Sequence, residues 1–224
     1  MPITTLNLIA AGGPIVAVLL VLSLFVMTLV LIKAGQFLRC RVLFSSPEGF
    51  TKSFIGHWRA NEFETARREL NGRRHPQALL LSHAAKMIVT EQLSGTALQD
   101  ELHRYGAALI AKLRSHLRPI EVIATVAPLI GLLGTVAGMI EAFQAMEAAG
   151  KQVDPSVLSG GIWQALLTTA IGLIVAIPAS MMHSWFERKV ETCSQAMADS
   201  MGRLLMLEAK RGEPVAQKYP QAVS

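Results

Sequence analysis

Charged side chains are missing from three long stretches of this sequence of 224 residues. The stretches run from Leu8 to Ile32, from Val122 to Ile140 and from Ile162 to Met182, and none contains Asp, Glu, Lys or Arg. A buried helix in a water-soluble core seldom needs more than about 14 consecutive apolar residues, whereas about 20 cross a bilayer. The three runs therefore argue against a soluble globular fold and predict an all-α integral membrane protein with three transmembrane helices.

Cysteine is also scarce, and Cys40 and Cys193 both lie outside the apolar runs. This argues against a disulfide framework and favours reduced thiols in the cytosol. The six histidines lie outside the runs without the spacing of metal ligands, and the sequence contains no HExxH, GxSxG, P-loop or CxxC motif. The sequence gives no support to an enzyme, and we expect no metal and no cofactor.

The first apolar run raises the question of a cleaved leader. Residues 1–7 contain no Lys or Arg, and the run is longer than the apolar region of a typical signal peptide. We therefore predict an uncleaved first span.

The distribution of positive charge predicts how the chain is oriented. Of the 21 Lys and Arg residues, 14 lie in 33–119, six in 183–224, one in 141–161 and none in 1–7. Positive residues mark the cytoplasmic side of a membrane. We expect an outer N-terminus at 1–7, a first span at 8–32, a cytoplasmic helical region at 33–119, a second span at 120–141, an outer loop at 142–161, a third span at 162–182 and a cytoplasmic helical tail at 183–224. The basic excess belongs to these membrane flanks, and we expect no nucleic-acid partner.

The polar segments carry helical signals of their own. An N-cap, a proline and an acidic first turn at 46–48 predict an amphipathic helix that runs to Asn71, and Pro76 opens a second one. A third helix is predicted from about Ala97 to about Met146, and the last span should continue to about Arg211 before a disordered end. Prolines within these helices are candidates for kinks. They are Pro119, Pro128 and Pro178.

Basic residues that flank the spans have two interpretations. Lys33, Arg39, Arg114 and Arg118 can form a solvated positive face, or they can contact the headgroups of anionic lipids.

Small residues form one stripe on each of the last two spans. A stripe of this kind lets helices approach closely. It can have a functional role, or it can serve tight packing alone. The second span offers Ala124, Gly131, Thr135, Gly138 and Ala142, with Gly134 and Gly138 as a GxxxG pair; the third offers Ala165, Thr169, Gly172 and Ala176, flanked by Gln164 and Thr168. The first span has no comparable stripe and is expected to face lipid.

The last two spans also carry a specific resemblance. The segments VAPLIGLLGTVAGMIEAF and GGIWQALLTTAIGLIVAIP resemble the paired signature of the MotA/TolQ/ExbB proton channel family, and the three-span layout is most like its ExbB and TolQ branch. The resemblance implies a homo-oligomeric ring, a pentamer, in the inner membrane of a Gram-negative bacterium, with a periplasmic N-terminus and a cytoplasmic C-terminus.

The resemblance also implies a function and partners. A ring of ExbB-like subunits would surround the single-span helices of an ExbD-like partner, which supplies a membrane aspartate. It would work through a TonB-like protein to drive outer-membrane uptake of iron–siderophore complexes and vitamin B12. A TolQ-like subunit would serve envelope constriction instead. By motif position, Thr135 and Thr169 would line the proton path, with Thr168 and Gln164 beside it.

One residue departs from the family pattern. Many relatives have Glu in the third span, where this chain has Gln164, and Gln does not titrate. A proton relay through a bilayer normally needs an ionisable group within it, and the three runs provide none. The titrating carboxylate would therefore come from another chain. A membrane scaffold without transport activity is the alternative from a different class.

Overall fold

The computed structural model describes residues 5–40, 42, 48–90, 95–149 and 155–212, and every regular element in these ranges is an α-helix. The helices are α1 (Thr5–Arg39), α2 (Glu48–Arg59), α3 (Phe63–Leu70), α4 (Pro76–Val89), α5 (Gly95–Arg114), α6 (Leu117–Ala149) and α7 (Pro155–Gly212). Three stretches are long and apolar enough to cross a bilayer, namely Gly13–Arg39, Leu117–Ala148 and Leu158–Arg211. The prediction of an all-α membrane protein with three spans is confirmed.

The chain divides into two compact units. The first comprises the described parts of Met1–Ala34 and His116–Glu187, and the second comprises the described parts of Gly35–Ser115 and Arg188–Ser224. The capping sequence at 46–47, part of the expected outer loop at 150–154, and the end of the chain after Gly212 lie outside the described residues. The side of the membrane on which each segment lies stays a prediction.

The first unit has an apolar core to which all three of its helices contribute. Val16, Leu19, Val26 and Leu29 of α1 are buried in it together with residues of α6 and α7. Their spacings of three and seven place them on one helix face. The expectation that the first span simply faces lipid is therefore wrong for this face, although the opposite face of α1 is exposed.

The second unit is built from short helices that pack in chain order, α2 on α3, α3 on α4 and α4 on α5. Trp58 is fully buried and stacks on Phe54 at 5.3 Å between ring centroids. Its indole Nε1 donates to Glu208 Oε1 at 2.7 Å, and Arg211 binds the same carboxylate at 2.6 Å. These contacts fix α2 to the last turns of α7 within this unit.

Two helix breaks were not expected from the sequence. The helix predicted over 48–71 is interrupted between α2 and α3, where Asn61 adopts a φ of 63°. Asn is one of the few residues that tolerate this left-handed conformation.

The prediction of one long helix from Ala97 to Met146 is also wrong. It breaks at Ser115 and His116, and His116 has a φ of 64°. Pro119 lacks an amide N–H and would clash with the carbonyl four residues earlier in a helix interior, so a first helical turn accommodates it at the least cost. The chain therefore ends α5 and restarts with Pro119 in the first turn of α6. Pro128 and Pro178 lie inside α6 and α7, and their role as kinks stays a prediction.

Candidate functional site

The last two spans meet along an antiparallel seam of small residues in the first unit. A Cβ atom built on Gly172 would lie 2.8 Å from the carbonyl oxygen of Ala127, and one on Gly131 would lie 3.0 Å from that of Thr168. Further along α6, a Cβ atom built on Gly138 would lie 3.3 Å from the Cβ atom of Ala165. Side chains larger than hydrogen do not fit at this backbone separation without displacement, so these glycines set the distance between α6 and α7.

Thr168 fills the centre of this seam. Its side chain is 2% exposed, and a Cβ on Gly134 would lie 2.5 Å from its hydroxyl oxygen. The hydroxyl lies 2.7 Å from the carbonyl oxygen of Ala165 and 3.3 Å from that of Gly131. This enclosure favours a packing role for Thr168, and its predicted place beside the proton path stays a prediction.

The neighbouring Thr169 is only half-buried and makes a bond between the two helices. Its hydroxyl donates to the carbonyl oxygen of Gly131 at 3.1 Å. Thr135 lies one helical turn beyond Gly131 on α6 and is also half-buried. Its hydroxyl donates to the carbonyl of Leu132 within its own helix at 2.7 Å. Both hydroxyls therefore flank the same glycine contact and keep part of their surface open.

Gln164 lies beside the first span. Its side-chain nitrogen is 3.4 Å from the position that a Cβ on Gly13 would occupy. Gly13 has a φ of 65° and interrupts the helical geometry of α1 immediately before Pro14. A proline disfavours helical geometry in the residue before it, and glycine tolerates positive φ, which explains the break at this point. Gln164 is half-buried against this break.

Acidic residues border the second apolar run, 122–140, without entering it. Glu121 lies 3.2 Å from Arg118 in an ion pair at the start of α6, and Glu141 is exposed towards the other end. Within the described residues no three His, Cys, Asp or Glu side chains gather in a way that would hold a metal ion. The seam therefore presents hydroxyl groups and carbonyl oxygens in place of titrating groups.

The four cations expected at the membrane surface have different surroundings. Lys33 is fully buried within the chain, and its predicted contact with lipid headgroups stays a prediction. Arg118 pairs with Glu121, and Arg114 lies 3.8 Å from Glu191 in the second unit. Arg39 is exposed.

Sequence reasoning missed one member of the seam. Gly161 lies so close to Ala142 that a Cβ on the glycine would overlap the alanine methyl group. The signal was present, because Gly161 precedes Ala165 by four residues and so continues the stripe on the third span.

The sequence matches a family model and several known proteins. A model of the MotA/TolQ/ExbB proton channel family matches residues 73–199. Biopolymer transport protein exbB1 of Vibrio cholerae is 35% identical over 114 residues, which cover 49% of this chain and 46% of that protein. Biopolymer transport protein ExbB of Salmonella typhimurium is 34% identical over 88 residues, which cover 39% of this chain and 36% of that protein.

A Tol-Pal system protein is also similar. TolQ of Haemophilus influenzae is 44% identical over 73 residues, which cover 33% of this chain and 32% of that protein. In each of these three comparisons the chain spans less than half the length of its relative. The family model, however, covers more than half of this chain and includes all of α6 and the part of α7 up to Asp199. The chain belongs to the MotA/TolQ/ExbB proton channel family.

Proposed function

We propose that this chain is an ExbB-like, ring-forming subunit of a proton-driven motor in the inner membrane of a Gram-negative bacterium. Its N-terminus is periplasmic, its C-terminus is cytoplasmic, and five copies surround the single-span helix of an ExbD-like partner. The motor uses the proton motive force to energise TonB-dependent uptake of iron–siderophore complexes and vitamin B12. The observation that carries the proposal is the pair of half-buried hydroxyls, Thr135 and Thr169, beside a glycine seam in the apolar runs 122–140 and 162–182, which contain no titrating group.

The orientation of the two hydroxyls defines what they can bind. Each donates its single proton to a backbone carbonyl, at 2.7 Å for Thr135 and 3.1 Å for Thr169. The oxygen lone pairs remain as acceptors. A protonated carboxyl group can donate to such an oxygen, but an ionised carboxylate only accepts hydrogen bonds. The resting seam therefore favours the protonated form of a carboxyl group from the partner helix.

This preference couples proton transfer to movement. When the partner's carboxyl group loses its proton, it can keep a bond to Thr169 only if the hydroxyl releases the carbonyl of Gly131. Releasing such a bond costs about 1 kcal/mol in net terms, and more where no other donor replaces it. The ionised partner is better paired elsewhere, so each proton changes which subunit of the ring the partner contacts. Successive protons would turn the partner relative to the ring.

Service in the Tol-Pal envelope system is a second candidate. It is supported by the 44% identity to TolQ of Haemophilus influenzae over 73 residues. The same seam and the same partner chemistry would then drive envelope constriction in place of nutrient uptake.

Deletion of the gene, with purification of the tagged protein from the complemented strain, tests the proposal. We expect the protein to co-purify as a ring with a small single-span protein that carries one intramembrane aspartate. Loss of growth on iron–siderophore complexes as the iron source supports the ExbB-like role, and sensitivity to detergent with normal siderophore growth supports the TolQ-like role. A protein that purifies without a single-span partner, from a strain with neither defect, is a scaffold and contradicts the proposal.

A further inference from the structure

A cavity of about 650 Å³ in the second unit has four arginines among its nine lining residues. Arg39, Arg68, Arg73 and Arg74 contribute guanidinium groups, and Glu69 is the one acidic residue among the lining residues. Four arginines against one carboxylate leave an excess of three positive charges around one concave site. Like charges gathered in this way repel one another, and an anion in the cavity removes the repulsion.

Local structure brings the arginines together. Arg68 lies in the last turn of α3, which ends at Leu70. Gly72 adopts a φ of 74° in the turn that follows, so that Arg73 and Arg74 return towards the end of the same helix. Arg39 is the last residue of α1. The four residues thus come from the ends of α1 and α3 and from the connection between α3 and α4.

The single carboxylate is already engaged. The Nε atom of Arg73 donates to the backbone carbonyl of Glu69 at 2.7 Å, and its Nη2 atom donates to the carboxylate at 2.9 Å. The guanidinium of Arg73 also lies over the ring of Phe50, 5.1 Å from the centroid. Arg73 is therefore held in place as one wall of the cavity, with Glu69 as its counter-ion.

The other three arginines are available to a ligand. Arg39, Arg68 and Arg74 are exposed, and none of them forms an ion pair within the described part of the chain. A guanidinium group presents its N–H donors in a planar fork that fits two oxygens of a phosphate group. Several such forks around one cavity are suited to a phosphate anion more than to a carboxylate, which has only two oxygens.

The position of Arg39 in the sequence indicates where the phosphate comes from. Arg39 follows Ile32, the last residue of the first apolar run, by seven positions. Basic residues immediately beyond a membrane span attract anionic lipid headgroups. We propose that the cavity lined by Arg39, Arg68, Arg73 and Arg74 is a binding site for a phosphate group, supplied by the headgroup of an anionic phospholipid. The site is independent of the proton path, because none of its residues belongs to the seam.

The test uses the full-length protein, purified in a zwitterionic detergent, and phosphatidylglycerol labelled on its acyl chain. Binding is measured by fluorescence anisotropy for the wild type and for the double variant Arg68→Gln/Arg74→Gln. The control is Arg59→Gln/Arg67→Gln, which removes the same charge from α2 and α3 outside the cavity. We expect the cavity variant to bind phosphatidylglycerol about 30-fold more weakly than the wild type, because each arginine contributes about fivefold. The control variant should bind it as the wild type does. Phosphatidylcholine should bind neither to the wild type nor to the two variants.

Competition with glycerol phosphate distinguishes a lipid from a soluble ligand. Failure of glycerol phosphate to displace the lipid supports a lipid site. If glycerol phosphate displaces the lipid from the wild type, and does so less effectively in the cavity variant, the cavity binds phosphate but its ligand is a soluble phosphate compound. If the glutamine variant does not fold, Arg68→Lys/Arg74→Lys keeps the charge, and its affinity should lie below that of the wild type because the fork is lost. Equal affinity of the cavity and control variants, or equal binding of phosphatidylcholine, would overturn the proposal.

Discussion

The hydroxyl of Thr169 on α7 donates to the carbonyl oxygen of Gly131 on α6 at 3.1 Å. This bond is possible because both backbones approach closely at Gly131, where a Cβ atom would lie 3.1 Å from the Cα of Thr169. Thr168, one residue earlier, is enclosed between the helices, whereas Thr169 lies at the edge of the seam with part of its surface open. The close packing at Gly131 and the position of the Thr169 hydroxyl are therefore parts of one structural feature.

Gly172→Ala should disturb this feature strongly. The new methyl group would lie 2.8 Å from the carbonyl oxygen of Ala127 and 3.2 Å from the Cα of Gly131, and both of these atoms belong to backbone. The helices must then move apart, and such overpacking destabilises a protein by about 1–3 kcal/mol. Thermal unfolding of the purified protein, followed by circular dichroism, measures the loss.

Gly160→Ala is the matched control for this change. Gly160 lies on the same helix, and nothing approaches within 4 Å of a Cβ built on it. Alanine is a better helix former than glycine by about 1 kcal/mol, so this variant should be as stable as the wild type or slightly more so. If both variants melt at the same temperature, close approach at Gly172 does not contribute to stability.

Gln164→Leu separates a path-lining role from a packing role. The side-chain nitrogen of Gln164 lies beside Gly13 at the break in α1. Because the side chain borders the first span, we expect Gln164→Leu to leave proton flux through reconstituted rings unchanged. A fall in flux comparable to that of a threonine variant in the same assay would instead support the predicted place of Gln164 beside the proton path.

His75 should make the stability of the second unit depend on pH. Its Nδ1 atom accepts a hydrogen bond from the amide of Gln77 at 3.3 Å and so caps α4 in its neutral form. Burial lowers the pKa of His75 from 6.5 to about 4. Between these pH values the unfolded chain binds a proton that the folded chain does not, so the free energy of unfolding falls as the pH decreases from 6.5 towards 4. The loss at the lower value is about 3 kcal/mol.

Thermal unfolding of the wild type and His75→Asn at several pH values measures this contribution. Asparagine is a good N-cap and does not titrate in this range, so the variant should lose less stability on acidification. The control is His103→Asn, because His103 is an exposed histidine on α5. If His75→Asn and His103→Asn respond to acid as the wild type does, His75 does not carry the dependence.

Much of the architecture could be predicted because apolar runs and small-residue spacing are local properties. The three spans follow from the missing charges, and the face that bears Gly131 and Gly138 follows from helical periodicity. The break at His116 was not predicted, because no glycine marks it and its cause is Pro119, three residues later. The burial of Lys33 was also not predicted, because a lysine just beyond an apolar run normally keeps its charged end in water.

The roles of Thr168 and Thr169 could not be separated by sequence alone. Adjacent residues on a helix point about 100° apart, so both flank the same stripe, and only the packing of α6 decides which one is enclosed. The arginine cavity was missed for a similar reason. Arg68 and Arg74 lie on opposite sides of the turn at Gly72, and the folded turn brings them to one site.

Proton flux into vesicles tests the central claim most directly. Vesicles that contain the full-length protein and its co-purified single-span partner are given a pH gradient, and flux is followed with a pH-sensitive dye. We expect the double variant Thr135→Val/Thr169→Val to lose about tenfold or more, since two hydrogen bonds of about 1 kcal/mol are removed from the path. Thr135→Ser/Thr169→Ser should retain flux because the hydroxyls remain.

The control is Thr125→Val, which removes a hydroxyl that donates to the carbonyl of Glu121 on the exposed surface of the same helix. This variant should conduct as the wild type does. Flux at the wild-type level in the double valine variant, with the complex intact, would contradict the account, because the hydroxyls of Thr135 and Thr169 would then have no part in proton movement.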